Sequence, residues 1–140
     1  MEYQGWIGVD LDGTLAEWHG WRELGDIGDP IAPMVTRVKC WLEAGREVRI
    51  LTARVGASGR WSIKANCYDN QDFADLQRAR IEAWCLEHLG KIIPITACKD
   101  MDMLSIWDDR AVCVEKNTGK AFSFREELID SVNCADPTED

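Results

Sequence analysis

The stretch from Trp6 to Leu15, Trp-Ile-Gly-Val-Asp-Leu-Asp-Gly-Thr-Leu, constrains this chain more than any other. The run Ile7-Gly8-Val9 has no polar residue on either face, the pattern of a strand buried on both sides in a parallel sheet. Gly13 then breaks the strand into a turn. Asp10 and Asp12 are thereby predicted at the carboxyl end of a strand, where open α/β sheets place their ligands. Residues two apart in an extended chain point the same way, so both carboxylates can face one small volume. Crowded carboxylates repel, and either one holds a proton or a cation sits between them. Carboxylate and backbone carbonyl oxygens are hard ligands that suit Mg²⁺. A carboxylate beside such an ion can attack phosphorus, while its neighbour protonates the leaving oxygen and then deprotonates a water. An isolated Asp-x-Asp more often lines a turn. The buried strand before it and Gly-Thr-Leu after it shift the balance to chemistry.

Asp10, Asp12, Gly13, Thr14 and Leu15 resemble motif I of the haloacid dehalogenase (HAD) superfamily of phosphohydrolases. Residues resembling the remaining motifs follow in order. Glu47 to Leu51 reads as a strand ending in Thr52-Ala53-Arg54. Thr52 matches motif II, which implies a hydroxyl bonded to a phosphate oxygen with help from the N–H groups of the following turn. Arg54 reads either as a phosphate or substrate contact, since guanidinium matches phosphate geometry, or as a structural ion pair. Lys99 follows the short strand Ile92-Ile93-Pro94-Ile95 and is the candidate for the basic motif III, with Lys91 as fallback. Its implied role is to neutralise the nucleophile and the phosphoryl oxygens. Leu104 to Trp107 reads as a strand ending in Asp108-Asp109-Arg110, which matches the metal-binding acids of motif IV. Asp108 is expected to bind Mg²⁺ directly, and Asp109 through water or by orienting its neighbour.

A chain of 140 residues is long enough to bury a core as one domain. The expected organisation is a single domain over residues 1–134, with a flap at 16–30, a long loop at 55–70 and an acidic tail at 135–140. The net charge of −9 disfavours a sequence-independent hold on nucleic acid and docking on anionic membranes. Arg54, Arg60 and Lys64 lie close enough in sequence to form a local basic rim. The N-terminus lacks the basic and apolar regions of a secretion signal, and no apolar run approaches a membrane span. The six cysteines are scattered, with no C-x-x-C pair. They read as reduced, partly buried thiols of a cytoplasmic protein.

The remaining segments connect these strand ends. Residues 16–30 are glycine-rich and read as a loop or short hairpin. In the family this position holds a flap or an inserted cap, and there is no room here for a cap domain. Trp18 and Trp21 either stack on a substrate ring or close the flap's own small core, and His19 reads as a flap residue. Pro33 to Ala44 is predicted as a helix from the spacing of Val35, Val38, Trp41 and Leu42, with Gly45 at its end. Residues 55–70 lack a clear period and are long for a connection, so this loop is expected to overhang the site. Gln71 to Leu89 is the longest predicted helix, with Phe73, Leu76, Ile81, Trp84, Cys85 and Leu89 on its apolar face and Gly90 after it. Ala111 to Glu115 is a further strand before the turn Asn117-Thr118-Gly119, and a last helix is expected from Phe124 to Val132.

The resemblance covers Trp6 to about Glu115. It implies an α/β three-layer sandwich with a Rossmann-like, mostly parallel sheet and no cap domain. The implied activity is Mg²⁺-dependent phosphomonoester hydrolysis through an aspartyl-phosphate on Asp10, with Asp12 as general acid and base. Gly13, Thr14, Thr52, Ala53, Arg54 and Lys99 would hold the phosphoryl group, and Asp10, Asp12 (through its backbone carbonyl), Asp108 and Asp109 the metal. The expected substrate is a small phosphometabolite or nucleotide. The alternatives are a phosphorylated macromolecule and a non-catalytic binding module. Capless members of the family can use a neighbouring subunit as a lid, so a homo-oligomer is compatible with this reading.

Overall fold

Four short parallel strands carry the first of the two units into which the chain divides, Met1–Asp108 and Asp109–Asp140. The computed structural model describes residues 4–21 and 26–124. In the first unit β1 (Trp6–Val9) is central, and β2 (Glu47–Leu51) and β6 (Met103–Trp107) pair with it on either side. The outer strand β5 (Ile95–Thr96) pairs with β2, giving the order β5-β2-β1-β6. The expected strand over 92–95 is thus shifted and shortened. Proline has no N–H to give to a ladder, but the Pro94 carbonyl accepts the Ile50 N–H at 2.8 Å, and regular pairing starts only after it.

Strand alternation divides the sheet into two faces. Ile7, Val9, Val48 and Ile50 share one buried cluster with Met34 and Val38 of helix α1 (Ala32–Glu43) and with Ala74, Ile81, Trp84 and Cys85 of helix α2 (Gln71–His88). Both helices therefore cover the same face. On the other face the fully buried Trp6 ring lies over Gly8, where an added Cβ would come within 3.1 Å of it. Trp6 Nε1 donates to Asp100 Oδ1 at 2.8 Å. The Arg49 guanidinium stacks 4.6 Å from the Trp6 ring centre and its Nη1 reaches Asp100 Oδ2 at 3.2 Å. This trio pins the link between β5 and β6 to the sheet.

Both helices start and stop within one residue of the expected bounds. Pro33 stands in the first turn of α1, and Gly45 follows it with φ 78°. Asn70 Oδ1 caps α2 by accepting the Phe73 N–H at 2.9 Å, and Gly90 follows with φ 82°. The inner face of α2 differs in one respect. Leu76 is 47 % exposed, and Gln77 is fully buried in its place. The physical reason lies in the site described below, where the Gln77 amide meets a buried charge.

The 55–70 loop is more ordered than its sequence suggests. It folds as an antiparallel hairpin of β3 (Trp61–Ser62) and β4 (Cys67–Tyr68), with Asn66 at φ 53° in the turn. Two-residue strands are too short to leave an alternation in sequence. In the second unit β7 (Cys113–Val114) and β8 (Ala121–Phe122) form another hairpin around the expected turn. The expected helix beyond Phe124, the tail and Cys134 lie outside the described residues. The five described cysteines are all free, but Cys40, Cys98 and Cys113 are exposed and not partly buried. Burial pushes the Cys85 thiol up. No described helix is long and apolar enough to cross a membrane.

The Trp6–Asp100–Arg49 trio has a definite pH signature. The Trp6 indole N–H, then the Asp102 backbone N–H and Arg49, hold the Asp100 carboxyl below its ordinary 3.8. A carboxyl depressed in the folded state stabilises the fold above its unfolded pKa, and this contribution is lost as pH falls through the folded pKa. Thermal unfolding of wild type and Asp100→Asn across the acid range tests this. Wild type is expected to be the more stable at neutral pH, with the gap closing below 3.8. A gap independent of pH would show that the Asp100 charge contributes nothing.

Candidate active site

The parallel register brings three strand ends to one edge of the sheet. Val9 is level with Ile50 of β2 and with Trp107 of β6. Asp10 and Asp108 are the next residues on their strands, and the Asp10 N–H donates to the Trp107 carbonyl at 2.9 Å. One carboxylate oxygen from each of Asp10 and Asp108 then lies within 4.8 Å of the other, and both side chains are half-buried. Asp109, also half-buried, follows through one peptide bond and opens the second unit.

The turn after Asp10 is built from its own backbone. The Leu11 carbonyl accepts from the N–H groups of Thr14, Leu15 and Ala16 at 3.3, 3.0 and 2.9 Å, and the Gly13 N–H donates to the Ala16 carbonyl at 2.8 Å. Gly13 needs φ 91°, which glycine adopts without strain. Leu11 and Leu15 are buried beneath the turn. The turn holds Thr14 back over Asp10, with its hydroxyl donating to Asp10 Oδ2 at 3.4 Å.

Asp12 faces a different partner. Arg54 Nε donates to Asp12 Oδ2 at 2.7 Å and Arg54 Nη2 to Asp12 Oδ1 at 2.8 Å, a two-pronged grip on one carboxylate. Arg54 is buried at 3 % exposure. Its Nη1 donates to Gln77 Oε1 at 2.8 Å, and its Nη2 also reaches the Asp26 carbonyl at 3.0 Å. The Trp21 ring covers the guanidinium at 4.7 Å. Of the two readings of Arg54, an ion pair is what the geometry presents. Gln77 was not among the expected site residues. Its signal was a polar side chain four residues before Ile81, on the face α2 turns to the core. The Gln77 Nε2 is buried without a hydrogen-bond partner among the described residues, so the residue is held for its oxygen.

The other expected residues divide. Thr52 directly follows β2 and is buried, and its hydroxyl accepts the Arg54 N–H at 3.2 Å, capping the 3₁₀ turn Ala53–Val55. Ala53 is exposed beside it. Lys99 and Lys91 are both exposed, and Lys99 forms no ion pair among the described residues. The flap closes at its base, where Ala16 bridges Pro30 and the Glu17 N–H donates to the Asp29 carbonyl at 2.8 Å. Trp18 packs edge-on to Trp21 at 5.5 Å, and Trp21 lies 6.1 Å from Phe73 of α2. Trp21 thus belongs to the flap's inner packing. His19 sits 3.4 Å from Glu17 on the surface. Residues 22–25 of the flap lie outside the described residues.

The arrangement supplies two carboxylates in two electrostatic settings at the mouth of a parallel sheet. One stands beside a second acid and the other is matched to an internal cation. Comparison with family models, with curated proteins and with solved structures gives no match.

Gln77→Leu tests the support of the buried guanidinium. Leaving a buried donor unpaired costs about 1–3 kcal/mol. Urea unfolding is expected to show a loss of that size with an unchanged m-value. An unchanged midpoint would show that the Gln77 bond adds nothing to the fold.

Proposed function

We propose that this chain is a Mg²⁺-dependent phosphomonoester hydrolase of the HAD type, capless, and built on a Rossmann-like parallel sheet. Its substrate class is a small phosphorylated metabolite or nucleotide. The observation that carries the reading is the placement of Asp10 beside Asp108 at the carboxyl edge of the parallel sheet, with Asp12 held apart on its own guanidinium. The donors fit the ion. Asp10 and Asp108 offer hard carboxylate oxygens. Mg²⁺ prefers oxygen ligands and commonly uses one or two carboxylates with phosphate and water. When bound, the ion supplies charge neutralisation to the phosphoryl group and the nucleophile.

The residues perform two displacements. A carboxylate oxygen of Asp10 attacks phosphorus, and the bond from phosphorus to the leaving oxygen breaks. Asp12, carrying a proton when the ester binds, gives it to that oxygen, releasing an alcohol and leaving an aspartyl-phosphate on Asp10. Asp12, now a carboxylate, takes a proton from water, whose oxygen attacks phosphorus. The bond to Asp10 breaks, inorganic phosphate leaves and both acids return to their starting states. Thr52 and Lys99 serve the phosphoryl oxygens in this scheme, with the Gly13–Thr14 turn closing the nucleophile's other side. Most of the rate comes from positioning and charge neutralisation.

Hydrolysis of p-nitrophenyl phosphate with Mg²⁺, after chelation and in Asp10→Asn tests the reading. Activity is expected to require the metal. The mutant should lose on the order of 10⁴-fold or more in kcat, the scale at which a nucleophile is missed. An Asp10→Asn protein that keeps its rate would overturn the mechanism.

A further inference from the structure

We infer that Arg54 is a positioning residue for proton transfer by Asp12 and makes no contact with the phosphoryl group. The inference deepens the phosphatase reading above and rests on it. Arg54 is spent on internal partners along its whole head. Nε and Nη2 hold the two oxygens of Asp12, Nη1 holds Gln77, Nη2 also holds the flap carbonyl of Asp26, and Trp21 covers the flat face. With its side chain 2 % exposed, the guanidinium is not presented to an incoming anion. What it can do is fix the plane of one carboxylate. An ionised carboxylate has about four lone-pair sites. The two bonds from Arg54 leave one site on each oxygen, so Asp12 can carry and release a proton while still gripped.

Three elements join at this grip. The turn after β1 contributes Asp12, the turn after β2 contributes Arg54, and α2 contributes Gln77. The direction in which Asp12 presents its proton is therefore set by the packing of α2 against the 3₁₀ turn. A lysine at position 54 keeps the charge but lacks the fork that reaches both oxygens.

This role makes a prediction that a phosphate contact or a purely structural residue does not. The proton from Asp12 matters in proportion to how basic the leaving oxygen is. A p-nitrophenolate departs with little help, whereas an alkoxide needs protonation. The readout is kcat/KM, which includes the phosphorylation of Asp10 and omits the later hydrolysis step. For Arg54→Lys with Mg²⁺, kcat/KM on glycerol 2-phosphate should fall on the order of 10²-fold further than on p-nitrophenyl phosphate. In an Asp12→Ala background, adding Arg54→Lys should cost nothing more on p-nitrophenyl phosphate.

Equal losses on the two esters, or full additivity with Asp12→Ala, would overturn the assignment while leaving the phosphatase reading intact. A wild type inactive on both esters would overturn the phosphatase reading and this assignment with it. If circular dichroism shows Arg54→Lys unfolded, Gln77→Met loosens the same guanidinium from its far side. It should reproduce the leaving-group dependence at smaller size, and a uniform loss there would count against the assignment.

Discussion

The buried guanidinium of Arg54 is the interaction on which the architecture around the site depends. Taking a charge out of water costs several kcal/mol, and the cost is recovered only with close geometry and a full set of partners. Asp12 supplies the opposite charge on two oxygens, Gln77 supplies a neutral acceptor, Asp26 supplies a carbonyl, and Trp21 supplies a ring face. These partners come from the turn after β1, helix α2 and the flap. Removing one member of such a pair commonly costs about 3–5 kcal/mol, because the other charge stays buried. The flap is thereby tied to the core through a charged group as well as through Trp21 and Phe73.

The same dependence explains what was legible in the sequence. Strands β1 and β2 and both helices could be read because burial leaves an apolar run or a period, and β6 could be read from its apolar residues although most of them are exposed. Asp10, Thr52 and Asp108 could be placed because strand ends follow from strands. The partner of Arg54 could not, since 42 residues separate it from Asp12 and no local pattern encodes a contact across two turns. Gln77 was passed over for Leu76 because hydropathy ranks leucine as core. Here a charge already in the core reverses the preference, and the leucine is exposed. Lys99 shows the opposite case. Its place after a strand was readable, but the following Asp100 answers to Trp6 and Arg49, so the path of the link is set by contacts that sequence spacing does not carry.

The β3–β4 hairpin marks a further limit. Its strands are two residues each, held by one register of pairing and by the edge-on contact of Trp61 and Tyr68 at 5.0 Å. Nothing in a 16-residue polar stretch announces so short a ladder. The backbone requirement at Asn66, φ 53°, is one that asparagine meets more readily than most residues, and it was the available signal for a tight turn there.

Two acids separated by a single residue, Asp10 and Asp12, pose an electrostatic problem that this fold resolves by sending them to different counterparts. Alternation alone would aim both at one volume, where like charges push against each other. The turn centred on Gly13 separates their duties. Asp12 is drawn to the α2 side, where Arg54 grips both of its oxygens, while Asp10 stays level with Asp108 across the β1–β6 pairing. A guanidinium engaged in this way cannot also serve Asp10. On the proposed mechanism this is a useful partition. The Asp10 carboxylate stands beside a second acid at the sheet edge, and the Asp12 carboxylate is gripped by a cation built into the fold.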